Sequence, residues 1–196
     1  MKSKSLTLAF LCLLWFSSNA QDVKLTDNAS ALFGAANCSI SVSEKNLITD
    51  LSGFTFDLND KQFYRNTHEK EANIPFDIKV YALDITNDGV EEIGILYGPK
   101  KGIGKSGLAT LLFVKDANGQ FKLNLDRPGE FFFINLNNLA FSDIVVNNES
   151  IEMEVYRWNG NEYREHKLLT RGKLRKLNIT SMYEVSNRYR AALVGE

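Results

Sequence analysis

The spacing of apolar residues changes several times along the chain, and each change marks an element. Leu6 to Phe16 is an apolar run broken only by Thr7. Residues 21–42 are small and polar and predict a loosely ordered segment. Leu47, Ile48 and Leu51 then fall on one helical stripe, which predicts a short helix from Ser43 to Leu51, capped by Ser43 and ended by Gly53. Residues 54–73 predict a short strand and a loop. From Pro75 the period becomes two: Phe76, Ile78, Val80 and Ala82 alternate as in a half-buried strand. Ile93 to Tyr97 and the largely apolar Leu108 to Val114 predict two more strands. Asn118-Gly119 is a hairpin turn, because both residues tolerate positive φ, and Phe121 to Leu125 returns.

The next stretch follows the same plan. Phe131 to Leu136, Asp143 to Val146, Ile151 to Arg157 and Glu162 to Leu169 read as four strands, with Trp158-Asn159-Gly160 at the last turn. The two Asn-Gly turns align at an offset of 41, and Glu92 aligns with Asp143 at an offset of 51. The difference of ten is the length of the Gly98–Gly107 loop, which the second half lacks. The expected fold is therefore mainly β within an α+β class. Antiparallel hairpins form two degenerate four-stranded units, about 76–125 and 131–169, inside a single domain from 43 to 196. Ser181 to Leu193 is predicted to be a helix covering one sheet face, with Met182, Val185, Tyr189 and Leu193 on one side.

The first twenty residues carry an export pattern. Lys2 and Lys4 precede the apolar run, and Ser18-Asn19-Ala20 places small residues where signal peptidase requires them. The run is shorter than the roughly 20 residues a spanning helix needs. Cleavage after Ala20 and a periplasmic or secreted product are expected. Cys12 leaves with the signal, so Cys38 is the one cysteine of the exported chain. An intramolecular disulfide is then excluded, and a buried thiol is expected.

Charge is unevenly spread. Residues 21–156 hold 12 basic and 20 acidic groups, whereas residues 157–196 hold 9 basic and 4 acidic. The basic end includes Arg164, Lys167, Arg171, Lys173, Arg175 and Lys176. An exported chain rarely meets nucleic acid, so the choice lies between a solvated face and a contact for an anionic partner such as lipopolysaccharide.

One segment has the spacing of a metal loop: Asp84-x-Thr86-x-Asp88-Gly89-Val90-x-Glu92. Calcium takes six to eight oxygens, and alternate positions of a tight loop turn theirs toward one centre. Gly89 permits the bend, Val90 offers a carbonyl, and Glu92 closes the set from the next strand. Asn87-Asp88-Gly89 between alternating strands is also an ordinary hairpin turn, which would leave the acids on the surface. Repulsion among the clustered acids favours an ion. The matching stretch, Leu83 to Leu96, resembles the loop of FG-GAP and VCBS repeats, the blades of integrin-like β-propellers. Asp84, Asp88 and Gly89 match that pattern and Glu92 is a conservative match. Thr86 departs from it, with a neutral ligand in place of an acid or amide, and Asn87 stands where glycine is usual. The resemblance implies one weak calcium site. A closed propeller is excluded, because it needs at least four blades. The arrangement as a whole also resembles small exported bacterial proteins of uncharacterised function.

Other motifs fail on spacing. Gly102-Ile103-Gly104-Lys105-Ser106-Gly107 lacks the first glycine of a P-loop, since Pro99 occupies that position, and it precedes a strand rather than a helix. His68 and His166 have no recognisable catalytic or zinc context. Trp158 and Tyr163 read either as a binding platform or as packing across a hairpin. The expected function is that of a noncatalytic exported domain, holding one Ca2+ and binding an envelope protein or glycan. An accessory subunit of an envelope complex, or an enzyme or inhibitor with a loop-assembled site, are the competing classes.

Overall fold

The structure, a computed structural model, describes residues 23–65, 75–99, 107–135 and 141–195. The expected signal segment, His68 and most of the Gly102–Gly107 loop lie outside the described residues.

The stretch expected to be loosely ordered carries a helix, α1 (Asp27–Phe33). Thr26 caps it by accepting a hydrogen bond from the Ala29 N–H at 3.2 Å. Its helical form is secured by burial of Leu32 and Phe33 against the first sheet; burying such a side chain contributes about 1.5–3 kcal/mol. Helix α2 (Val42–Ser52) begins two residues earlier than a Ser43 cap would require. Ser41 is the cap. Its hydroxyl accepts from the Glu44 N–H at 3.3 Å, and its own N–H donates to Glu44 Oε2 at 2.8 Å. Ser43 has Asn46 three residues on and so lacks the acid that completes this capping box. Gly53 ends the helix in the left-handed region, at φ 70°.

Six strands follow in sequence order and pair antiparallel into one sheet: β1 (Phe54–Asp57), β2 (Gln62–Arg65), β3 (Phe76–Leu83), β4 (Glu92–Pro99), β5 (Ala109–Lys115) and β6 (Phe121–Pro128). The second sheet holds β7 (Glu130–Ile134), β8 (Asp143–Asn147), β9 (Glu152–Trp158) and β10 (Tyr163–Thr170), also in succession. A short helix, α3 (Arg171–Leu174), then leads to β11 (Ile179–Ser181), which adds to the free edge of β7. The final helix is α4 (Met182–Val194), capped by Ser181 with Glu184. Each expected four-stranded unit is thus the meander of one sheet. The first is extended by the β1–β2 hairpin and the second by β11.

Three apolar clusters order the layers. The central one joins the sheets: Leu112, Val114 and Leu125 meet Phe131, Phe133, Ile144, Val146 and Tyr163, with Met182 and Val185 of α4 closing one end. The outer face of the first sheet packs Ile93, Ile95, Leu111 and Phe113 against α1 and α2. The outer face of the second packs Val145, Met153, Val155 and Leu169 near Leu174 and Ile179. Strand β5 serves two clusters at once, which is why Leu111 to Val114 is apolar on both faces. Leu193, expected on the buried side of α4, is instead exposed. Among the described residues no helix is long and apolar enough to cross a membrane.

Candidate metal centre

The loop between β3 and β4 contains four of the five residues singled out from spacing, and the fifth, Glu92, opens β4. Asn87 at φ 56° and Gly89 at φ 80° turn the chain through the left-handed region. Asp84 holds the turn together: Oδ1 accepts from the Asp88 N–H at 3.1 Å, and Oδ2 accepts from the Gly89 N–H at 3.0 Å. Asp88 Oδ1 accepts from the Val90 N–H at 2.9 Å. Ile85 is fully buried and pins the start of the loop into the central cluster. Both aspartates therefore fix the loop's own backbone. A carboxylate offers about four lone-pair sites, so these bonds leave acceptor capacity on each.

Glu92 differs from the two aspartates. It is only 2% exposed, and Oε2 accepts from the Ile85 N–H at 2.8 Å. Burial pushes its pKa up to about 8; the Ile85 bond opposes this, and the negative charges of Asp84 and Asp88 add to the rise. The corresponding acid of the second sheet has a different solution. Ile144 lies opposite Tyr156, and one step along Asp143 meets Arg157, whose Nε and Nη2 donate to its two oxygens at 2.9 and 2.8 Å. These bonds hold the Asp143 carboxyl below its ordinary pKa. In the first sheet Ile93 lies opposite Phe113, so the position facing Glu92 is Val114, an apolar residue. Among the described residues no cation pairs with Glu92.

Thr86 is 4% exposed, and its Oγ1 has no hydrogen-bond partner among the described residues. Leaving a buried hydroxyl unpaired costs about 1–3 kcal/mol. Thr86 occupies the third position of the loop, where a ligand oxygen is called for, and the donor set of Asp84, Thr86, Asp88, Glu92 and the Val90 carbonyl is all oxygen. That chemistry fits a hard cation. The side chains are not drawn into a cage: among the described residues, no three His, Cys, Asp or Glu converge in a way that could hold a metal.

Glu91 did not stand out in the sequence, yet it too is 4% exposed. Its Oε2 accepts from the Ser39 N–H at 2.9 Å, from the Ser39 hydroxyl, and from the Tyr189 hydroxyl at 3.2 Å. It ties the segment before α2 and the helix α4 to the loop. These partners lie 52 and 98 residues away, so nothing local could have marked the site. Cys38 sits beside it, half-buried, with its thiol pushed up to about 12 by burial and by the Glu91 charge. Such a thiol is a poor nucleophile at neutral pH.

Trp158 stacks on Phe141 at 4.2 Å and meets Tyr163, its cross-strand neighbour, edge-on at 5.3 Å. Tyr163 is buried, with its hydroxyl donating to the Ser142 carbonyl at 3.0 Å. These rings pack the end of a hairpin against the central cluster. Comparisons with protein-family models, curated proteins and solved structures find no match to this chain.

Proposed function

We propose that the chain is a noncatalytic, exported, β-rich domain whose Asp84–Glu92 loop holds one calcium ion, and that it acts by binding within the cell envelope. The observation that carries the calcium assignment is the contrast between two acids at matching register positions, Glu92 opposite Leu83 and Asp143 opposite Ile134. Asp143 has Arg157. Glu92 is buried, its pKa is raised further by the charges of Asp84 and Asp88, and the register puts apolar Val114 at the position that Arg157 holds opposite Asp143. Burying an unpaired carboxylate is costly, and a charge in that setting is either neutralised by a proton or matched by a cation. The unpartnered Thr86 Oγ1 supports the same assignment. Asp84, Thr86, Asp88 and Glu92 would hold the ion through side chains and Val90 through its carbonyl. A bound ion would supply the positive charge this end of the first sheet lacks. Export supports a weak site, because calcium is plentiful outside the cytoplasm.

Calorimetric titration of the chain from Gln21 tests this. One ion should bind with a dissociation constant on the order of 10⁻⁴–10⁻³ M, as in extracellular modules. Asp88→Ala and Glu92→Gln should each abolish the heat. Absence of binding at about 10 mM calcium, well above that range, contradicts the assignment.

A further inference from the structure

The outer face of the second sheet has a feature that the metal loop does not explain. A cleft of about 180 Å³ opens between α3 and the sheet. Its floor is apolar: Phe132, Met153, Leu174 and Ile179. Arg171 and Arg175, one helical turn apart, line it as exposed residues, and Lys173 and Lys176 beside them are exposed as well. None of these four cations is in an ion pair with a described residue. Arg171 Nε donates to the Ser150 carbonyl at 3.3 Å, which ties α3 to the β8–β9 turn. That turn presents Ile151, 84% exposed and the most exposed large apolar residue of the described chain. Glu149 and Glu152 are the acids on the same turn, exposed and outnumbered by the four cations.

From these residues we infer that α3 and the β8–β9 turn form a docking patch for an anionic membrane surface. Charge complementarity selects the partner. Arg171 and Arg175 line a small apolar floor, Lys173 and Lys176 add positive charge beside it, and one apolar side chain stands out at the neighbouring turn. The cleft is smaller than the roughly 300–1,000 Å³ of sites that enclose a small molecule. It suits a phosphate-bearing headgroup met at a surface, with Ile151 entering the interface beside it. Polybasic segments bind anionic lipid in this way, each Lys or Arg strengthening the contact by about fivefold.

Co-sedimentation of the chain from Gln21, which contains every member of the three apolar clusters, tests the proposal. The expected result is binding to phosphatidylcholine vesicles carrying phosphatidylglycerol, little binding to phosphatidylcholine alone, and loss of binding at high salt. Replacing Arg171, Lys173, Arg175 and Lys176 together by Gln should weaken binding by on the order of 100-fold or more. Replacing four exposed cations elsewhere (Lys24, Lys61, Lys79 and Arg188) changes net charge equally and should cost far less. Ile151→Ser should weaken binding while leaving its salt dependence in place. Circular dichroism of both charge variants checks that they fold. Equal binding to neutral vesicles, equal losses in the two charge variants, or no binding at low salt would each overturn the proposal. Complete competition by millimolar inorganic phosphate would also overturn it, by pointing to a site for a free anion.

Discussion

At the scale of single residues, burial decides what the acids near Gly89 do. Asp84 and Asp88 look alike in the sequence and behave alike, each holding backbone N–H groups of the loop. Glu92 sits in the core, and its shift carries a prediction about pH. Its pKa is raised to about 8 in the folded chain against 4.5 ordinarily. Between those values the folded state binds more protons than the unfolded state. In the presence of chelator, stability contributed by Glu92 is therefore fully present below about pH 4.5 and is lost as pH rises through about 8. Urea unfolding at several pH values should show a decline on the order of a few kcal/mol, since one pKa unit is about 1.4 kcal/mol. Glu92→Gln should flatten that decline; an unchanged slope would place the titration elsewhere. The ligand-type residues were legible from spacing alone. The burial of Glu92 and Glu91 was not, because it is set by Val114, Ser39 and Tyr189, which are distant in the chain.

Among the elements, those that announce themselves by a long run of one period are the ones the sequence predicts well. Strands β3, β4 and β5 and helix α4 are of this kind. Elements held by tertiary contacts are not. Helix α1 has seven residues, too few to hold a helix alone, and Asn28 and Ser30 weaken its pattern until Leu32 and Phe33 find the sheet. Strand β11 has three residues, too few to show alternation, and it exists because β7 offers a free edge. The start of α2 turned on a local detail, the Ser41–Glu44 box. Ser41→Ala should destabilise the domain by about 1 kcal/mol in equilibrium unfolding, whereas Ser43→Ala should change stability by no more than about 0.5 kcal/mol. Similar losses for the two would contradict the assignment of the cap.

For the whole molecule, the question is how two meanders become one core. They meet at Gly129, between β6 and β7. Its φ is 120°, its N–H donates to the Leu108 carbonyl at 2.7 Å, and its carbonyl accepts from the Thr110 hydroxyl at 2.7 Å. A Cβ there would lie 2.8 Å from the Asn147 carbonyl oxygen and 2.9 Å from Val146 Cγ1. Gly129→Ala should cost about 1–3 kcal/mol from backbone strain, with the clash added to it, read as a lowered urea midpoint. The division into two meanders was readable from the repeated turn plan. Their face-to-face packing, and the α1–α2 and α3 layers outside them, depend on contacts that no local pattern carries. The Asp84–Glu92 loop lies at one end of this core, joined to it through Ile85 and Glu92, so occupancy by the proposed ion should register in global stability. The most direct test is thermal unfolding of the chain from Gln21 in about 10 mM calcium and in chelator. At about ten to one hundred times the dissociation constant, linkage stabilises the folded state by about 1.4–2.7 kcal/mol. For a domain of this size that raises the melting temperature by about 3–10 °C. The account predicts that rise for the natural sequence and none for Asp88→Ala; equal melting temperatures in calcium and chelator for the natural sequence would contradict it.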